Sequence, residues 1–135
     1  MTALTEFFFR YPDRARSSWA IVNWWESRRL AYNIAVGIAG AASVTAIELA
    51  AALPPFPTHL PIPWIPIGVY ALLANVCYTA GPVAELAVRR IWGDDLEPVG
   101  PALFRYGFAF SIGLTLLPTG LAVLGWGARL YSALS

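Results

Sequence analysis

Three long apolar runs constrain this chain more than anything else in it: Leu30–Leu53, Trp64–Val88 and Ala102–Leu124. Each reaches the roughly 20 residues needed to cross a hydrocarbon core about 30 Å thick at about 1.5 Å per residue. A soluble three-helix bundle would alternate each apolar stripe with a polar face, and these runs do not. With 58% hydrophobic and 13% charged residues, the 135-residue chain also departs from soluble averages of about 45–50% and about 25%. The expected fold is an all-α membrane protein. It has an N-terminal amphipathic interfacial segment (residues 1–29) and a three-helix transmembrane domain (residues 30–135). The spans are placed at about 30–53, 64–90 and 102–125.

Arginine placement predicts orientation. Arg10, Arg14, Arg16, Arg28 and Arg29 precede the first span, Arg89 and Arg90 end the second, and Arg105 opens the third. The loop PPFPTHLPIP carries no arginine, and only Arg129 follows the third span. Basic residues near span ends stay cytoplasmic. The expected arrangement is a multi-pass protein of the bacterial inner membrane, with the N-terminus cytoplasmic and the C-terminus periplasmic. The first thirty residues lack the apolar core and cleavage site of a signal peptide.

Residues 19–25 mix tryptophan with polar residues. At 100° per residue, Ile21, Val22, Trp24 and Trp25 share one side, opposite Asn23 and Glu26. Trp19, Trp24, Trp25 and Trp64 are read as interfacial anchors, because indoles favour the headgroup zone. Asn23-Trp-Trp-Glu26 has capping-box spacing, which marks a possible start and bend of the first span there. The outer loop, with Pro54, Pro55, Pro57, Pro61 and Pro63, followed by Pro66, should be an extended strap. The lone histidine, His59, is read as a solvent-facing loop residue rather than a ligand.

Polar residues inside a span must face protein or water. Asn75, Tyr78, Pro82 and Glu85 fall within an arc of about 80° on the second span. Glu85 and Arg105 lie at the same boundary, and Asn33 shares their depth. The expected site is a polar cluster of Asn33, Glu85 and Arg105, edged by Tyr32 or Tyr106. Pro82 should free the Tyr78 carbonyl and bend the helix. Small residues at helical spacing nominate packing faces: Gly37, Gly40 and Ala41 on the first span, Gly113 and Gly120 on the third. Gly107 and Ser111 form a second face on the third span. Glu48 is read as a boundary carboxylate, with Arg129 the one cation at its depth.

No catalytic signature is present. There is no nucleophile elbow, HExxH, CxxC or phosphate-binding glycine loop. One histidine and one cysteine leave little for metal or thiol chemistry. The expectation is no enzyme, no metal, no cofactor and, at net charge +1, no nucleic acid.

The segments SRRLAYNIAVGIAG and ANVCYTAGPVAEL, with the short third span, resemble a loose group of small, uncharacterised bacterial integral membrane proteins. The resemblance implies an inner-membrane protein and carries no activity. Beyond the bilayer, the expected partners are other membrane subunits or a second copy of the chain. The functional expectation is a non-catalytic accessory or scaffolding subunit of a larger complex, with bioenergetic complexes in view. The alternative is a small homo-oligomeric channel or carrier. A weaker third reading places a lipid or quinone beneath the Trp24–Trp25 belt.

Overall fold

A computed structural model describes residues 2–10, 17–93 and 95–135. Arg14, Arg16 and Asp94 lie outside the described residues. The protein is an all-α membrane protein whose three long helices are each apolar enough to cross a bilayer. The order is α1 (Ala3–Phe9), α2 (Ser18–Ala52), α3 (Trp64–Trp92) and α4 (Gly100–Leu134).

α2 begins earlier than the sequence suggests. Its N-cap is Ser17, whose hydroxyl accepts from the Ala20 N–H at 3.2 Å. The helix then runs unbroken through Asn23 and Arg29 to Ala52. Residues 18–29 are therefore continuous with the first span rather than a separate helix, and the Asn23–Glu26 spacing caps nothing. The predicted division of polarity is present, but its apolar side faces protein. Ile21 and Trp25 are buried, while Asn23 and Glu26 are exposed. The anchors split accordingly: Trp19 and Trp64 are exposed, Trp24 is half-buried and Trp25 belongs to the core.

The buried face of α2 reads Ile21, Trp25, Arg28, Tyr32, Val36, Ala39, Ser43 and Ala50. These steps of three and four, with a last step of seven, keep one stripe turned inward along the helix. α4 answers with Pro101, Phe104, Phe108, Ser111, Thr115 and Thr119. Because α3 returns the chain, α2 and α4 run parallel, and they form the most extensive interface. α3 leans on this pair. It starts after Pro63, tolerates Pro66 in its first turn, and ends at Gly93 with φ +77° and ψ −167°. That backbone region is essentially restricted to glycine.

The small-residue faces expected inside the bundle are not its packing faces, and Gly107, on the face expected to meet another protein, is exposed. Gly37, Ala41, Gly107, Gly113 and Gly120 are exposed, and a Cβ added at any of the glycines would meet nothing. Gly40 is the exception among these predicted packing glycines, its Cβ position lying 3.8 Å from the Thr115 methyl. The inner stripes lie about one residue, or 100°, away from the predicted ones. Aromatic rings and hydroxyls fill the bundle, so the helices stand apart by the width of those side chains.

Candidate functional site

The N-terminal end of the bundle holds an aromatic and polar cluster around Trp25. The indole ring is packed edge-on against Tyr78 and Phe104, at centroid distances of 5.5 and 5.9 Å. Edge-to-face pairs add about 0.5–1.5 kcal/mol beyond area burial. Gly81 lets the ring seat itself: a Cβ there would overlap the indole carbons. The indole N–H then donates to Glu85 Oε2 at 2.7 Å, in a buried setting. The carboxylate also lies against Gly100, the first residue of α4, where a Cβ would overlap it. A negative charge at a helix N-terminus is stabilised by the unpaired N–H groups there. One carboxylate on α3 thus ties α2 to the start of α4.

This corrects the predicted triad. Arg105 is exposed and forms no ion pair among the described residues. It shares a depth with Glu85 but not an azimuth, because its neighbour Phe104 takes the inward direction. Tyr106 is likewise exposed, whereas Tyr32 is in the core. Glu85 sits with Trp25, and Asn33 belongs elsewhere.

Asn33 and Asn75 form a reciprocal amide pair between α2 and α3. Asn33 Nδ2 donates to Asn75 Oδ1 at 3.1 Å, and Asn75 Nδ2 donates to Asn33 Oδ1 at 2.8 Å. Arg29 extends this seam toward the N-terminal end. Its guanidinium pairs with Glu26 at 2.7 Å, donates to the Thr79 hydroxyl at 3.2 Å, and stacks over the Tyr78 ring at 4.9 Å. On the other side of α2, Arg28 is buried. It donates to the Trp24 and Phe7 carbonyls and stacks over the Trp24 ring at 4.0 Å. α1 is docked here too, with Phe8 stacked on Phe104 and Phe108 at 5.7 and 5.8 Å.

A ladder of hydroxyls climbs from this cluster through the bundle. Tyr78 donates to the Trp25 carbonyl at 2.6 Å, and Tyr32 to the Ser111 hydroxyl at 2.9 Å. The Tyr70 and Thr115 hydroxyls meet at 2.6 Å. Ser43 donates to the Thr115 carbonyl at 2.8 Å and meets the Thr119 hydroxyl at 2.8 Å. Inside a bilayer, such groups find partners in protein because lipid offers none. Ser111 is therefore an internal tie as well as part of the expected docking face.

At the far end, Arg129 donates to the Ala50 carbonyl and, at 3.1 Å, to the Phe56 carbonyl. Trp126 donates to the Pro54 carbonyl at 2.9 Å. Together they strap the proline loop to α4. Glu48 faces His59 Nδ1 at 3.6 Å instead of Arg129. Sequence reasoning missed Gly81 and Gly100. Both abut residues it had named, but only the helix crossing shows that those contacts exclude a side chain. Among the described residues, no group of three or more His, Cys, Asp and Glu is placed to hold a metal ion. No family model, curated protein or solved structure matches the chain, so the reading of its site rests on the geometry alone.

Proposed function

We propose that the chain is a non-catalytic accessory or scaffolding subunit of a larger complex in the bacterial inner membrane, with its N-terminus cytoplasmic and its C-terminus periplasmic. The observation that carries this reading is how the interior polar groups are used. Tyr32, Ser43, Tyr70, Ser111, Thr115 and Thr119 are spent on one another and on backbone carbonyls across helix boundaries. Such a core stiffens the bundle and uses its polar groups to hold helix against helix. The exposed faces carry large apolar side chains suited to lipid or to other helices.

The same usage weighs against a channel. A pore needs polar groups through the full depth, and the far half of α3 presents Ile65, Ile67, Val69, Leu72 and Leu73 outward. Purification of the native chain in mild detergent, followed by mass spectrometry of intact assemblies, tests the reading. The expected result is a stable assembly with at least one different membrane subunit in fixed ratio. A pure self-oligomer that conducts ions in a planar bilayer would overturn it.

A further inference from the structure

A slot of about 110 Å³ opens between α3 and α4 in the half of the bundle nearer the N-terminus. Its mouth is formed by Cys77, Gly81, Leu103, Gly107 and Phe110. Behind the mouth stand the buried rings of Trp25, Tyr32, Tyr78 and Phe104. Gly107 and Ser111 lie about 10–16 Å along α4 from its first residue. Since α3 and α4 are both long and apolar enough to span the membrane, the mouth opens toward lipid on the N-terminal side. Gly107 keeps it open, for nothing lies within 4 Å of where its Cβ would be.

The chemistry of the walls selects the occupant. The Trp25 N–H goes to Glu85, the Tyr78 hydroxyl to the Trp25 carbonyl, the Tyr32 hydroxyl to Ser111, and the Ser111 hydroxyl to the Gly107 carbonyl. Every strong side-chain donor lining the slot is committed within the protein. Only the Cys77 thiol, a weak donor, remains. A quinone ring would leave both carbonyl oxygens without a donor in a dry site, a cost of about 1–3 kcal/mol for each. A hydrocarbon chain asks for no donor. It also supplies the contacts that aromatic walls facing a narrow void would otherwise lose.

We propose that this slot holds the acyl chain of a bilayer phospholipid, drawn from the leaflet on the N-terminal side. The chain gains nothing from the hydrophobic effect on leaving the bulk lipid; what it gains is contact with a fixed aromatic wall. The proposal stands apart from the scaffolding reading, and an occupied slot would fit either a subunit or a channel.

The test uses the full chain in phosphatidylcholine vesicles whose acyl chains carry a photoactivatable diazirine. After illumination, adducts are mapped by peptide mass spectrometry. The expected adducts concentrate on residues 77–81 and 103–111, above the more exposed stretches at 65–73 and 116–124. Gly107→Leu, which fills the mouth, should lower the slot adducts several-fold. Gly113→Leu, on the same helix but outside the slot, should leave them unchanged. Three results would overturn the proposal: adducts spread evenly over all exposed faces, slot adducts unaffected by Gly107→Leu, or slot adducts cleared by an equimolar tail-less benzoquinone. The map of the unsubstituted chain decides the first and third without relying on any variant.

Discussion

Trp25 acts both as a wedge and as a donor. Its ring fills the space that Gly81 leaves, and its N–H ends on the buried Glu85 carboxylate. Trp25→Phe keeps most of the ring and deletes the donor. A hydrogen bond to a charged group contributes about 1.5–3 kcal/mol, so the variant should lose roughly that much stability. Arg105→Ala, at an exposed position, should change stability by less than about 0.5 kcal/mol. Unfolding titrations in mixed micelles measure both. Equal losses would restore Arg105 as a partner of Glu85. Gly81→Leu should be worse than Trp25→Phe, since it expels the ring and leaves the carboxylate facing a disrupted wall. The contrast also shows what a lone sequence can tell about Glu85. A carboxylate inside an apolar run must be facing protein, and its depth follows from counting residues. Its partner does not, because depth leaves azimuth undetermined. Phe104 and Arg105 differ by one residue, and only helix packing decides which of them turns inward.

At the scale of the element, Asn33 and Asn75 tie α2 to α3 through two mutual hydrogen bonds. Interhelical hydrogen bonds in membranes average about 0.6 kcal/mol and reach about 1.7 in double-mutant cycles. Asn33→Ala and Asn75→Ala should therefore couple by an amount in that range, measured as the gap between the double variant and the sum of the singles. Strict additivity would mean that the seam holds nothing. The strap at the other end gives a separate expectation. Arg129→Ala removes the donor to the Ala50 and Phe56 carbonyls, so amide hydrogen exchange at Leu53 and Thr58, whose N–H groups bond to the Leu49 and Ala51 carbonyls, should quicken while α2 below Ser43 stays protected. The three spans were legible because length and apolarity survive any packing. The start of α2 was not. Glu26, Arg28 and Arg29 lower the hydropathy just where the helix continues, and burial of Trp25 by α3 and α4 is a long-range effect. The glycine stripes misled for a related reason: small residues permit close approach, but α2 and α4 meet through rings and hydroxyls.

For the whole molecule, the parallel pair of α2 and α4 sets the frame. Tyr32 meets Ser111, Ser43 meets Thr115 and Thr119, and Ala50 meets Arg129, so the two helices stay in contact side by side from end to end. At 35 residues each they are about 52 Å long, well beyond a hydrocarbon core of about 30 Å. Tilt takes up part of the excess, and the rest must project into the headgroups or past them. The polar groups indicate where. Arg28, Arg29, Glu26 and Glu85 gather at the N-terminal end, while Glu48, His59 and Arg129 gather at the other. The stretch between them, from Tyr32 to Ala50, holds no charged side chain on α2 except Glu48 near its end. Three crossings place the proline loop and the C-terminus on one side of the membrane, with the N-terminus and the turn after Gly93 on the other. Substituting Cys77→Ser and then placing single cysteines at His59, Asp95 and Ser135 makes this measurable with a membrane-impermeant maleimide on sealed, right-side-out cells. His59→Cys and Ser135→Cys should label together from outside, and Asp95→Cys only after the membrane is broken. If Ser135→Cys and Asp95→Cys label on the same side, the chain crosses an even number of times, and the parallel α2–α4 pair cannot exist in the membrane.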